Sequence, residues 1–440
     1  MLPHDKNLFQ SAAVNLMHTK NQMEYVASGC SFLRITYPSL QIPSDYQTRV
    51  FDCFRQMQDK NNHKFSLLYN AYAEKNYPTA LNMIRDAGGS YKTHADSGGL
   101  QIITQGANIT DDLKKTIYAN QALNSDIAMS FDEIPILTVG ESSKRGDMST
   151  RFFDHTGFKD KAILSAKNLT EQLQFFADSK TTSKPLMIIH GNSMQNGVDW
   201  ANIMLDNISN EMRPLIGGIA MGGGSFGNGE KEMMTRTAVA TEVLTQHRDL
   251  PQYVHFLGIG SVRMFFSLFF LRESGWMDGI KVSYDSTTHT SKPHMGDYLN
   301  AKCENIPYGK EMNIHYEIML AEIKESFPWF PYDIKTFYEA MRTSAGNYIK
   351  KHGTDHAVIE SFVGIILRNV QNFTAEVARC DNDTQHFLNR WVDQKDWQKY
   401  RTFGEVKSGQ DFIRWNQEFG GAFKSKKLEQ KPVSIISMFQ

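Results

Sequence analysis

Between about Lys64 and Ser286 the sequence repeats one pattern: a short apolar run rich in β-branched residues, a polar or glycine-containing turn, then a longer stretch of helical periodicity. The runs, in order, are KFSLLYN, the segment into THADSGG, DIAMSFDE, PLMIIHG, LIGGIAMG, YVHFLGIG and GIKVSYDS. Nearly unbroken apolar runs suit strands buried on both faces, so the repeat predicts a parallel sheet covered by helices. Its spacing predicts an α/β fold of the TIM type, a (β/α)8 barrel.

Polar or glycine residues close these runs at Asp96, Asp132, His190, Gly222, Gly260 and Asp285. The C-terminal ends of the strands are where such barrels carry their chemistry. After Asp285 the pattern becomes helical, as in HAVIESFVGIILRNVQNF. Three regions follow: residues 1–60 as a lead-in segment, 61–295 as the barrel, and 296–440 as a helical region that completes the barrel and is a candidate for nucleic-acid contact.

Composition narrows the class. With 440 residues, 41% apolar and 22% charged, the chain is an ordinary globular protein with room for a large core. A net charge of -1 means that any contact with a polyanion must come from a local patch. Cys30, Cys53, Cys303 and Cys380 are far apart in sequence and form no close pair of the kind zinc and redox motifs use. The N-terminus lacks an apolar signal core, and the greasiest stretch, Met264 to Leu271, is shorter than the ~20 residues a membrane span needs. The expectation is a cytoplasmic protein, in the host cytoplasm if phage-encoded, with no membrane contact.

Individual motifs leave alternatives open. HADSGGLQ sets an acid, a hydroxyl and two glycines after a strand, where a ligand can approach the backbone, although Asp96 also suits a turn or a helix cap. In SFDEIP, Asp132 and Glu133 point to opposite faces, so one carboxylate can enter a pocket and accept the N–H groups of a purine edge. Asp132 is assigned to the pocket. The glycines Gly222, Gly224 and Gly227 satisfy G-x-G-x-x-G, which admits a dinucleotide-dependent oxidoreductase, but they fall late in the series of β/α units. In KVSYDSTTHT, Asp285 is placed to attack an anomeric carbon or simply to cap a turn.

Taken together and in order, ALNMIRDAGGSYKTHADSGGLQ, SFDE, GGIAMG, FLGIG and the final YD resemble the tRNA-guanine transglycosylase family from about Ala80 to Asp285. The resemblance implies Asp285 as nucleophile at C1′ of the sugar and Asp96 as general acid/base. It implies Asp132 as the acceptor for guanine N1–H and its amino group, with backbone donors around Gly217, Gly218 and Ile219 meeting the base's carbonyl oxygen. Ser97 and Gln101 would line the same pocket. No redox cofactor and no metal is required by this chemistry.

The chain departs from the family in several places. Leu100 stands where the family has an aromatic, so Leu100 and Leu257 would sandwich the base. His190 stands where the family has glutamine, either bonding the C7 substituent of the incoming base or packing. The family's C-x-C-x2-C zinc motif has no counterpart, and STTHTSKPH replaces its basic stretch. These departures resemble the DNA-modifying branch, found in phages and some bacteria, which inserts 7-deazaguanines into DNA. The expected partners are therefore DNA, with tRNA as the alternative, and the free 7-deazaguanine base; a homodimer and a non-catalytic subunit remain open. Trp391, Trp397, Lys399, Arg401, Arg414, Trp415, Lys424, Lys426 and Lys427 interleave cations and aromatics as single-strand binders do, or form an ordinary solvated helical surface.

Overall fold

The computed structural model describes residues 23–28, 65–72, 92–100, 102, 107–139, 150–222, 230–259, 262–273, 277–286, 292, 297–307, 314–326, 328, 356–383 and 386. Eight parallel strands close into a barrel in sequence order. They are β1 (Glu24–Ala27), β2 (Phe65–Asn70), β3 (Thr93–Asp96), β4 (Ile127–Met129), β7 (Lys184–Ile189), β8 (Ile219–Met221), β9 (Tyr253–Phe256) and β10 (Lys281–Ser286). The closing pair is β1 with β10, in the register Val26 to Asp285. The chain is thus a TIM-type (β/α)8 barrel.

One expectation needs correction. The first barrel strand, β1, lies inside residues 1–60, which read as a lead-in because EYVA is only four residues long and carries a charge. That charge is Glu24, which points into the barrel and is neutralised there. The seven runs read from sequence are the other seven strands, although β4 ends at Met129 and leaves Asp132 in the loop that follows.

Among the described residues, helices lie between successive barrel strands from β3 to β10. α1 (Asp111–Asn124) is capped by Thr110, whose side chain accepts the Leu113 N–H, with Asp111 and Asp112 in the first turn, the charge sign that the helix N-terminus favours. α2 (Phe158–Asp178) follows an antiparallel hairpin, β5 (Ile136–Val139) and β6 (Thr150–Phe153), inserted after β4. α3 (Met194–Asp206), capped by Ser193, leads to β8; α4 (Glu230–Gln246) leads to β9 and α5 (Val262–Glu273) to β10.

Beyond β10 come a second hairpin, β11 (Asp297–Leu299) with β12 (Asn305–Pro307), then α6 (Ile314–Ser326) and α7 (His356–Asn382). α7 closes the outer layer over β1: Phe373 packs its ring 4.8 Å from Tyr25 and 5.3 Å from Phe265 of α5. α7 therefore covers the outer face of β1, and it has an apolar stripe because one face must cover that seam. The stretch from Trp391 to Lys427 lies outside the described residues. No described helix is long and apolar enough to cross a membrane.

Alternation along the strands separates two apolar clusters. Val26, Leu68, Ile127, Met129, Leu186, Ile188 and Ala220 form the barrel interior, and the larger cluster lies between strands and helices. The interior is not wholly aliphatic: Glu24, Ser66, Lys92, His94, Tyr253, His255 and Ser283 occupy inward positions and bond to one another, as described next.

Candidate active site

Three acids foreseen from sequence meet at the C-terminal face of the barrel. Asp285 ends the inward row of β10 and is 4% exposed. Its Oδ1 accepts the Gly258 backbone N–H at 2.8 Å and faces His255 Nε2 at 3.3 Å. Oδ2 has no hydrogen-bond partner among the described residues. The Gly258 donor is aimed by a turn with φ +67°, a conformation that glycine adopts without the steric cost a side chain brings.

Asp96 closes β3 one strand beyond Asn70, with which it is in register. Burial raises its pKa from 3.8 to about 7, and the negative charges of Asp132 and Asp285 add to the rise, against the opposing pull of the Gly98 and Ser97 N–H groups. Such a carboxyl can hold or release a proton near neutral pH, which is what a general acid/base needs.

Asp132, buried in the loop after β4, accepts His190 Nε2 on Oδ2 at 2.5 Å. His190 follows β7 and packs edge-on against Trp200 of α3, ring centroids 5.1 Å apart. Room for the imidazole comes from Gly222, where a Cβ would lie 2.5 Å from His190 Nδ1. Gly99 stands on the other side of Asp132, its missing Cβ 3.2 Å from Asp132 Oδ1 and 3.8 Å from Ser97 Oγ. The Ser97 hydroxyl is fully buried and has no hydrogen-bond partner among the described residues. Leu257, beyond β9, packs on the interior cluster at the same end, and Leu100 is half-buried in the first helical turn after Gly98.

The glycines of LIGGIAMG are placed differently from expectation. β8 begins at Ile219 and ends at Met221, level with Ile189 and Phe256. Gly217 and Gly218 therefore sit at the N-terminal end of the barrel, against Lys184 and Tyr253, far from the acids. The Gly217 N–H is bonded to Pro185 O, and Gly218 O accepts Met187 N–H, so both serve the sheet. Ile219 opens the strand at that same end. Only at Gly222, whose N–H bonds Ile189 O, does the segment reach the face of Asp96 and Asp285. Strand direction, which a glycine count does not reveal, decides this. Gln101, Gly260, Gly224 and Gly227 lie outside the described residues.

Beneath the acids runs a polar chain, buried at His255, Ser283, His94 and Ser66, that motif reading missed. His255 Nδ1 lies 2.8 Å from Ser283 Oγ, which is 2.5 Å from the Tyr253 hydroxyl. The His94 ring lies 5.3 Å from that of His255, and His94 Nε2 bonds Glu24 at 3.1 Å. Glu24 also takes the Ser66 hydroxyl and, at 2.7 Å, the Lys92 ammonium. Burial lowers the pKa of His94 to about 4 although Glu24 works the other way, so the ring is neutral at pH 7. Burial also opposes the ionisation of Glu24, but its bonds to His94 and Lys92 prevail and hold it well below the usual carboxylate range. Arg236, fully buried in α4, donates to Leu257 O at 2.7 Å and keeps its charge within the field of Asp285; burial lowers its pKa only to about 10. The period-2 alternation of YVHF, which turns Tyr253, His255 and Leu257 inward together, is the signal that marks His255.

A second group of titratable side chains sits at the C-terminal end of α7 and just beyond it. The ligand atoms of Glu376, Cys380 and His386 lie within 4.8 Å of one another, a set that suits a soft divalent metal by residue type. Its carboxylate already carries Arg379 at 2.6 Å and His386 at 3.0 Å. The cluster is not built on the C-x-C-x2-C spacing.

No family model and no curated protein matches the chain. Among solved structures it is similar to a sugar phosphate isomerase/epimerase from Parabacteroides distasonis, at 12% identity over 60% of this chain and 90% of that one, TM-score 0.34. It is also similar to an L-ribulose 3-epimerase, at 10% identity over 85% and 99%, TM-score 0.32. The carboxyl transferase domain of Rhizobium etli pyruvate carboxylase shows 11% identity over 97% of this chain and 58% of that one, TM-score 0.37. Likeness this distant says nothing of chemistry, and the barrel stands on its own closed strand order.

Proposed function

We propose that this chain is an enzyme, a base-exchange transglycosylase that replaces guanine in DNA with a 7-deazaguanine through a covalent Asp285–sugar intermediate. The observation that carries the reading is the division of labour among three neighbouring carboxyls. Asp285 keeps Oδ2 without a hydrogen bond to another described residue, Asp96 titrates near neutrality, and Asp132 is tied to His190. Environments that set carboxyls apart in this way separate a nucleophile from an acid/base and from a binding group.

In the first step Asp285 Oδ2 attacks C1′ as the C1′–N9 bond breaks, its electron pair stays on guanine N9, and Asp96 supplies the proton. A sugar ester remains on Asp285. The incoming base gives its N9 proton to Asp96, attacks C1′ and displaces the carboxylate, so two inversions restore the original configuration. Asp132 accepts N1–H and the amino group of either base, and Ser97 supplies a hydroxyl beside it. Because the target base is stacked, the enzyme must flip it out at a cost of roughly a few kcal/mol.

The test is to incubate the protein with labelled guanine or with 7-cyano- or 7-aminomethyl-7-deazaguanine, offering duplex DNA, single-stranded DNA and unmodified tRNA separately, and to digest each polymer for nucleosides. Incorporation into DNA alone is expected. Incorporation into tRNA alone moves the reading to the tRNA enzymes, and none in any polymer overturns it.

A further inference from the structure

The inward face of β9 and β10 holds three hydrogen-bonding side chains in a row, Tyr253, Ser283 and His255, ending on Asp285. The chemistry of the ends sets the direction of every bond. Asp285 Oδ1 is an acceptor already bonded by the Gly258 N–H, so the nitrogen that faces it, His255 Nε2, carries the hydrogen; a bare Nε2 would set two lone pairs against each other. In the neutral ring Nδ1 is then an acceptor and takes the Ser283 hydroxyl hydrogen. Ser283 Oγ in turn accepts from Tyr253, which burial keeps protonated by raising its pKa far above the ordinary value.

We propose that His255 is the positioning residue of Asp285: held in its Nε2–H tautomer by the Tyr253–Ser283 chain, it and Gly258 occupy Oδ1 and leave Oδ2 as the oxygen that bonds the sugar. The assignment deepens the transglycosylase reading and, for its kinetic part, rests on it. Two donors on one oxygen fix which way the carboxyl is turned. They also act when the ester is cleaved: as the incoming base takes C1′, the electron pair of the C1′–Oδ2 bond returns to the carboxyl, and the charge spreading onto Oδ1 meets donors already in place.

His94 does not compete for this work. Its Nε2 belongs to Glu24, and its Nδ1 has no hydrogen-bond partner among the described residues. The two imidazoles are therefore neighbours with separate loyalties, one to the floor of the barrel and one to the acid above it.

The experiment has a spectroscopic and a kinetic arm. Histidine-selective 15N spectra, with His255 assigned by its loss in His255→Gln, are expected to show a protonated Nε2 and a bare Nδ1. Ser283→Ala, which leaves Asp285 untouched, should weaken that preference. A protonated Nδ1 with a bare Nε2 overturns the proposal whatever the protein's reaction is. In the kinetic arm His255→Leu should slow both formation and cleavage of the sugar adduct by about 100-fold, in the range of a lost preorganised donor, with KM for the base unchanged. His255→Gln, which offers an N–H near the Nε2 position, should recover to within about tenfold of the parent, a rescue that a purely structural role does not predict. If His255→Leu fails to fold, Ser283→Ala and His255→Gln still decide, since parent-like rates and tautomer in Ser283→Ala would refute the chain. If the parent exchanges no base, the transglycosylase reading falls while the 15N spectra still judge the geometry.

Discussion

His190 occupies the space that Gly222 leaves open: a Cβ on Gly222 would stand 2.5 Å from His190 Nδ1 and 2.6 Å from Cε1. The imidazole is thereby seated between the end of β8 and Trp200, with Nε2 against Asp132. Gly222→Ala should push the ring off Asp132 and weaken binding of free guanine roughly tenfold to a hundredfold, the scale of one misplaced charge-assisted hydrogen bond. Calorimetric titration of guanine, with a melting curve to confirm folding, checks this. Parent-like affinity would mean that the His190–Asp132 pair has no part in holding the base.

Asp285→Asn keeps the volume of the side chain and removes the nucleophilic oxygen. The expected result is loss of the protein–DNA adduct on a denaturing gel and at least a ~10³-fold fall in exchange, with DNA binding retained. Exchange at the parent rate would dismiss Asp285 as nucleophile.

Asp96 links stability to pH. Its pKa is about 7 in the folded protein, against the ordinary 3.8. The folded state therefore holds a proton that the unfolded chain has lost between these values. The stability this contributes is full below pH ~4 and falls away as pH rises through ~7, by at most about 4 kcal/mol. Asp96→Asn cannot ionise, so its melting temperature should gain on that of the parent as pH goes from 4 to 8. Parallel curves across that range would show that burial does not hold Asp96 protonated.

Glu24 anchors the floor of the barrel. Glu24→Ala would strand the Nε2–H of His94 and the Ser66 hydroxyl, and take the partner from Lys92. Because Lys92 is 39% exposed and solvent screens its charge, a loss of about 2 kcal/mol is expected, less than for a fully buried pair. Urea denaturation gives the number directly. An unchanged midpoint would show that water replaces the carboxylate without cost.

How far the barrel was legible in the sequence depended on local signals. Buried parallel strands tend to be apolar for several residues, a pattern that FSLLYN and KPLMII carry openly, while THAD and KVSYDS were marked by the polar residues at their ends. EYVA carried neither mark, because its inward Glu24 is made tolerable by Lys92 and His94, which lie about 70 residues away in sequence, in register with nothing a local window contains. Asp96, Asp132, His190 and Asp285 were legible because each ends or follows a strand run, and strand ends in a barrel share one face.

Gly217, Gly218 and Ile219 were misplaced for the same reason that the others were found. A glycine cluster spanning both ends of a three-residue strand carries no mark of which end is up, and only the pairing of β8 with β7 and β9 settles it. His255 was passed over because one imidazole in an apolar run reads as wall; its partner Asp285 lies on the next strand. By itself, then, the sequence determined the fold class and which carboxyls reach the upper face, since periodicity and strand-end polarity are local properties of the chain. Only the tertiary structure decided which oxygen of Asp285 is held, which glycine makes room for His190, and where the floor charges find partners, because contacts between strands are set by register, which no single segment contains.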